Sequence, residues 1–173
     1  MRTIIIEEYN PNWISEYEKE AKRIADILKD ELVRIHHIGS TSVPNLPAKP
    51  IIDILLEIKS LDKMENFRDS FEKIGYQCLG EYGIPSRYFF RKGGENPTHH
   101  IHAYERENTY EINRHLAVRE FLKKNESWAK EYAQLKIRLA ERFPHSIEDY
   151  CEGKDGFVKE LEKTALDWYL KKE

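Results

Sequence analysis

Little in this chain points to secretion, a membrane or covalent stapling. It has 2 cysteines, Cys78 and Cys151, far apart and matching no metal spacing. A reducing cytoplasm is the expected setting. No apolar run approaches the about 20 residues of a membrane span. The opening segment MRTIIIEEYNPNW sets acids straight after its apolar triplet, which is not the pattern of a secretory leader. Charge of one sign is missing too. Against 31 acidic residues stand 28 basic ones, a formal net charge of −3, so the chain as a whole has no pull toward nucleic acid or an anionic membrane. Internal repeats and low-complexity tracts are absent, as are a P-loop, a dinucleotide fingerprint, HExxH and GxSxG.

What is present suits one domain over residues 1–173. The length allows a real core, and 40% hydrophobic with 12% aromatic residues is ordinary for a globular chain. TIIIEEY reads as a short strand or an extended lead-in, closed by the Asn-Pro-Asn turn at 10–12. Trp13, Tyr17, Ala21, Ile24 and Leu28 recur at three- and four-residue steps, which predicts an amphipathic helix to about Leu32. VRIHHIG is a strand stopped by Gly39, and PNLPAKP is a loop because each proline fixes its backbone and removes a donor. IIDILLEI has the near-continuous apolar pattern of a strand covered on both faces. A helix is predicted over LDKMENFRDSFEKIG with Gly75 as its C-cap, then three short strands, YQCLGEYGI, SRYFFRKG and THHIHAYER, as an antiparallel meander. TYEINRHLAVREFLKKN, ESWAKEYAQLKIRLAERF (ended by Pro144) and GKDGFVKELEKTALDWYLKK are three closing helices. The expectation is an α+β fold, a mixed sheet core over about 30–107 flanked by helices, with a helical C-terminal third over about 109–172.

Three features carry chemistry. Gly39 leaves a strand and frees the backbone to approach a ligand, while Ser40, Thr41 and Ser42 offer hydroxyls and amides to phosphate oxygens. The same residues also suit a plain capped turn. Asp53 lies inside an apolar strand, where a carboxylate is costly unless paired or bound to a cation. Its alternatives are capping the Gly39–Ser42 turn or pairing with Lys49. Asp53, Leu55 and Glu57 share a face, but Asp53 and Glu57 lie about 13 Å apart at about 3.3 Å per residue and cannot share one ion. Strand alternation puts His100, His102 and Tyr104 together, so the two imidazoles could bind one divalent metal with Asp53, or an anion when protonated. Lys49, Arg87, Arg91 and Arg114 would add positive charge suited to a phosphate. His36 and His37 straddle the first strand, and His115 opens a helix with Arg114.

HHIGSTSVPNLPAKPIIDILLEI, with THHIHAY and RHLAVREFLKKN downstream, closely resembles the GrpB (UPF0157-like) family, over nearly the whole chain. That family is similar in fold to the DNA polymerase β-like nucleotidyltransferases. There a Gly-Ser turn binds the nucleoside triphosphate, and an Asp-x-Asp pair plus a third acid holds two magnesium ions. The resemblance therefore implies a nucleotidyltransferase-like protein. Gly39 and Ser40 would be the Gly-Ser pair, Asp53 the catalytic metal acid, and Mg²⁺ or another divalent metal the cofactor. Leu55 stands where the second acid is due, and His100 or His102 where the third is due. Three functions follow: nucleotidyl transfer to a small or protein acceptor, an inactive module binding a nucleotide or phosphometabolite, or single-metal phosphohydrolysis. Leu55 favours the second.

Overall fold

The structure is a computed structural model that describes residues 2–172. Helix α1 (Asn12–Leu28) leads through a 3-10 turn into strand β1 (Leu32–Ile38). Strand β2 (Ile52–Ile58) follows, then α2 (Arg68–Lys73), β3 (Tyr76–Cys78), β4 (Tyr88–Lys92) and β5 (His99–Glu105). Three helices close the chain: α3 (Thr109–Lys124), α4 (Glu126–Arg142) and α5 (Ile147–Leu170). The five strands form one sheet in the order β1-β2-β5-β4-β3. β2 and β5 are parallel and every other neighbour is antiparallel, so the sheet is mixed and the β3–β5 meander is antiparallel as expected.

Alternation gives the sheet two faces. One carries Ile52, Ile54, Leu56, Ile101, Ala103 and Phe90, which pack with Ile24 and Leu28 of α1 and Phe71 of α2. The other carries Asp53, Leu55, His100, His102 and Phe89, by the pairing of Asp53 with His100 and of Phe89 with His102. Over it sits α3, whose Ile112 and Leu116 close on Leu55, Ile38 and Tyr104. β2 is buried on both faces, which accounts for its continuous apolar run. The loop after β1 sends Val43 and Leu46 into a cluster with Phe121 of α3, Ala133 of α4 and Leu161 of α5. This ties the helical third to the end of β1.

Of the two readings of TIIIEEY the extended lead-in holds, with Glu7 bridging Ala48 and the Ile4 amide donating to Pro144 O at 2.8 Å. Three local readings need correction. α1 stops at Leu28 because Lys29 takes φ 51°, and residues 29–31 wind as a 3-10 turn. The stretch Leu61–Phe67 is a 3-10 helix, not α. Leu61, Met64 and Phe67 are spaced by three, which aligns them on one face only at three residues per turn. α5 begins at Ile147, where the Ser146 hydroxyl accepts from the Asp149 amide at 3.2 Å. Gly153 is therefore helical, and it is small because Leu139 of α4 crosses there: a Cβ would lie 2.5 Å from Leu139 Cδ2. Among the described residues no helix is long and apolar enough to cross a membrane.

Candidate functional site

The antiparallel register sets Ile38 opposite Asp53, so Gly39 leaves β1 directly over that carboxylate. Gly39 has φ 74°, and a Cβ there would lie 2.6 Å from Asp53 Oδ2. Both facts demand glycine. The next residues wind as a single 3-10 turn, Ser40–Ser42, in which the Ser42 and Val43 amides donate to Gly39 O and Ser40 O at 3.1 Å. The earlier amides of such a turn have no acceptor inside it.

The three hydroxyls have separate fates. Thr41 is buried, its Oγ1 3.0 Å from His37 Nε2 and 3.4 Å from Ile51 O. Ser42 Oγ donates back to Gly39 O. Ser40 Oγ alone meets a lysine, accepting from Lys136 Nζ at 2.9 Å. His37 is a support for the turn: it stacks on Tyr17 at 4.6 Å, and burial pushes its imidazole down to about 4, so it is neutral. His36 pairs instead with Glu57 at 2.7 Å.

Asp53 Oδ1 lies 3.5 Å from both His100 Nδ1 and His102 Nε2. Burial raises its affinity for a proton, but the two imidazoles outweigh this and hold the carboxyl well below the usual carboxylate range. Asp53 is therefore ionised. On the far side of His102, Arg87 Nη1 approaches Nδ1 at 3.2 Å. A guanidinium only donates, so Nδ1 must accept and Nε2 must carry the ring proton. Burial holds His102 below its ordinary value, in keeping with a neutral ring. His115 stands behind it, ring centroids 5.2 Å apart, and burial keeps it neutral as well.

That tautomer bears on the expected metal. A ligating imidazole must present a lone pair, yet His102 presents an N–H to Asp53. Among the described residues no group of three His, Cys, Asp or Glu side chains is arranged to hold a metal ion. Position 55 adds nothing: Leu55 is fully buried against Ile112 and Leu116. The donor set does not fit a divalent ion.

The three arginines are committed elsewhere. Arg87 is 6% exposed and donates to Glu81 O and Tyr82 O, each at 3.1 Å from Nη2. Arg91 donates to Gln77 Oε1 at 3.3 Å. Arg114 lies between Glu111 (2.7 Å) and Glu162 (3.0 Å). In their place, lysines converge from segments distant in sequence. A cavity of about 300 Å³ opens beside Ser40 and Asp53, lined also by His100, Lys49, Lys136 and Lys154. Lys49 and Lys154 both lie over the Tyr150 ring, at 4.8 and 5.1 Å from its centroid. Lys136 lies 4.5 Å from the Tyr132 centroid and donates to Pro47 O at 2.7 Å. Burial, reinforced by Lys154, brings Lys136 down to about 7 and Lys49 to about 8. Lys49 does not pair with Asp53; the chain's lysine ion pairs among the described residues involve Lys63, Lys92, Lys123, Lys130 and Lys159.

Lys136, Lys154, Tyr132 and Tyr150 escaped the sequence reading. One signal was there: Lys136 falls on the same α4 stripe as Ala129, Ala133 and Ala140, where a solvated lysine has no place. Lys154 gave none.

The GrpB protein family profile matches residues 3–164. The chain belongs to the GrpB family. Of its relatives, UPF0157 protein YqkA of Bacillus subtilis is 43% identical over 167 residues, 96% of this chain and 48% of that protein. The chain thus spans about half the length of that GrpB relative. UPF0157 protein BH1888 of Halalkalibacterium halodurans is 34% identical over 94% of this chain and 83% of that protein. The crystal structure of conserved protein GrpB from Enterococcus faecalis superposes with a TM-score of 0.93 at 46% identity, covering 96% of this chain and 99% of that one. A shorter likeness reaches a dephospho-CoA kinase of Mycobacterium leprae, 32% identical over 76 residues, 40% of this chain and 18% of that protein.

Proposed function

We propose that this GrpB chain binds a phosphorylated small molecule, a nucleotide or a CoA precursor, in the lysine cavity of a nucleotidyltransferase-like scaffold. One observation carries the reading: Lys49, Lys136 and Lys154 converge on Ser40, and none forms an ion pair among the described residues. Lys136 is buried and Lys49 half-buried, and lysines so placed without an ion-pair partner lose protons or take an anion. A polyphosphate returns them to the charged state and satisfies their donors. Among the described residues the buried Tyr150 hydroxyl has no partner, and its residue lines the same cavity, which suits a further ligand oxygen. Asp53, which lines the same cavity, repels phosphate and suits ligand hydroxyls, so the phosphate end belongs with the lysines. Nucleotidyl transfer by two metals has weaker support, because Leu55 and the His102 N–H remove the needed ligands.

Differential scanning fluorimetry with ATP, dephospho-CoA, sugar phosphates and inorganic phosphate tests this. A ligand at about 100 times its Kd adds about 2.7 kcal/mol, which raises Tm by roughly 5–10 °C in a chain of this size. The shift is expected to survive EDTA and to vanish in Lys49→Met with Lys154→Met. No shift with any phosphate, or an equal shift in the double variant, removes the reading.

A further inference from the structure

Lys136 does more in this cavity than its charge requires. It is 2% exposed, on an α4 stripe of alanines, and it has no carboxylate partner among the described residues. The charges facing it are Lys154 from α5, Lys49 from the loop before β2 and Asp53 from β2, and the phenols of Tyr132 and Tyr150 and the His100 ring line the same cavity. Two cations against one anion disfavour a third cation. A lysine so placed exists in good part as the free amine, the form that lysine general bases use.

The free amine suits its contacts. One N–H donates to Pro47 O at 2.7 Å, and the second faces the Tyr132 ring, 4.5 Å from the centroid. Lys136 Nζ stands 2.9 Å from Ser40 Oγ and donates to it as the ammonium; as the free amine it turns a lone pair to the same hydroxyl, in place to take its proton. Ser40 itself stands where a strand ends in a tight Gly39 turn, half-buried and open to the cavity. A serine presented on a sharp turn, with a base within hydrogen-bond reach, has the geometry of an activated nucleophile.

We propose that Ser40 and Lys136 form a nucleophile–base pair that opens phosphoric esters or anhydrides. Ser40 Oγ attacks phosphorus; the Oγ–P bond forms as the bridging P–O bond breaks, and the serine proton passes to Lys136 Nζ. The resulting ammonium protonates the departing oxygen. Water then attacks the serine ester, giving one proton to Lys136 and releasing phosphate as Oγ recovers its proton. Lys49 and Lys154 face the non-bridging oxygens, where negative charge gathers. This goes beyond ligand binding, and it stands or falls separately from it.

The test is labelling with an alkyl fluorophosphonate, an uncharged reagent whose reaction needs a nucleophilic serine and not phosphate capture. Oγ–P forms, P–F breaks and fluoride leaves as Lys136 takes the proton. Peptide mass spectrometry is expected to place the adduct on Ser40, with none in Ser40→Ala. The rate in the native protein should rise through pH 7 and fall at least tenfold in Lys136→Arg, which keeps the cation and loses the base. An unlabelled Ser40, beside a serine hydrolase that labels in the same tube, overturns the proposal. A rate flat from pH 6 to 9, or unchanged in Lys136→Arg, overturns it as well. Because the pH profile is read on the native chain, the test remains decisive even where Lys136→Arg misfolds.

Discussion

Gly39 and Asp53 are in such close contact that a single added methyl on the first would lie 2.6 Å from a carboxylate oxygen of the second. The turn that presents Ser40 and the half-buried Asp53 carboxylate of β2 beside it are thus a single unit, joined by the pairing of Ile38 with Asp53.

Gly39→Ala meets two penalties, a left-handed backbone at φ 74° and a collision with Asp53. The expected loss is about 2–4 kcal/mol. Urea unfolding measures it, and phosphate binding should weaken in parallel because Ser40 is displaced. A loss below about 0.5 kcal/mol would show that the turn does not depend on this contact.

Leu55→Asp restores an Asp-x-Asp pattern on β2. Because position 55 is sealed by Ile112 and Leu116, the new carboxylate is buried without a cation. We expect a loss of about 3–5 kcal/mol and no gain of nucleotide turnover. Denaturation and an assay for released pyrophosphate decide it. A stable, active variant would show that α3 yields and that the scaffold still accommodates a metal pair.

Arg87 fixes the tautomer of His102. Long-range ¹H–¹⁵N NMR is expected to find the proton on Nε2 at pH 7. In Arg87→Met the Nδ1 acceptor loses its donor, and both tautomers should appear. A proton on Nδ1 in the native protein would turn a lone pair toward Asp53 and reopen metal binding there.

The lysines make the unliganded protein sensitive to pH. Lys136 and Lys49 have folded values near 7 and 8, below the ordinary 10.5. From pH 7 to 9.5 the unfolded chain therefore binds more protons than the folded one, and stability rises with pH. Below pH 7 the cost of charging Lys136 is present in full. The slope is at most about 1.4 kcal/mol per pH unit for each lysine. Urea midpoints at pH 6.5, 8 and 9.5 should climb, and Lys136→Met should be steadier at pH 6.5 with a flatter profile. A fall across that range would contradict the assignment of both groups.

What the sequence determined by itself is the part written in short-range order. Alternation along β2 set Asp53 with Leu55, alternation along β5 set His100 with His102, and apolar spacing located the helices, because both depend on neighbours within a few residues. GSTS followed by PIIDI was enough to suggest an anion-facing turn beside a carboxylate, and the pattern was specific enough to resemble the GrpB family. The tertiary structure decided which charges meet there. Arg87, Arg91 and Arg114 are spent on carbonyls, Gln77 and two glutamates, while Lys49, Lys136 and Lys154 meet across more than 100 residues of chain. It also decided the state of the histidines, since an acceptor at His102 Nδ1 exists only because Arg87 arrives from β4's edge. Periodicity sets the direction of a side chain, but its partner and its protonation depend on packing between segments that the local pattern does not connect.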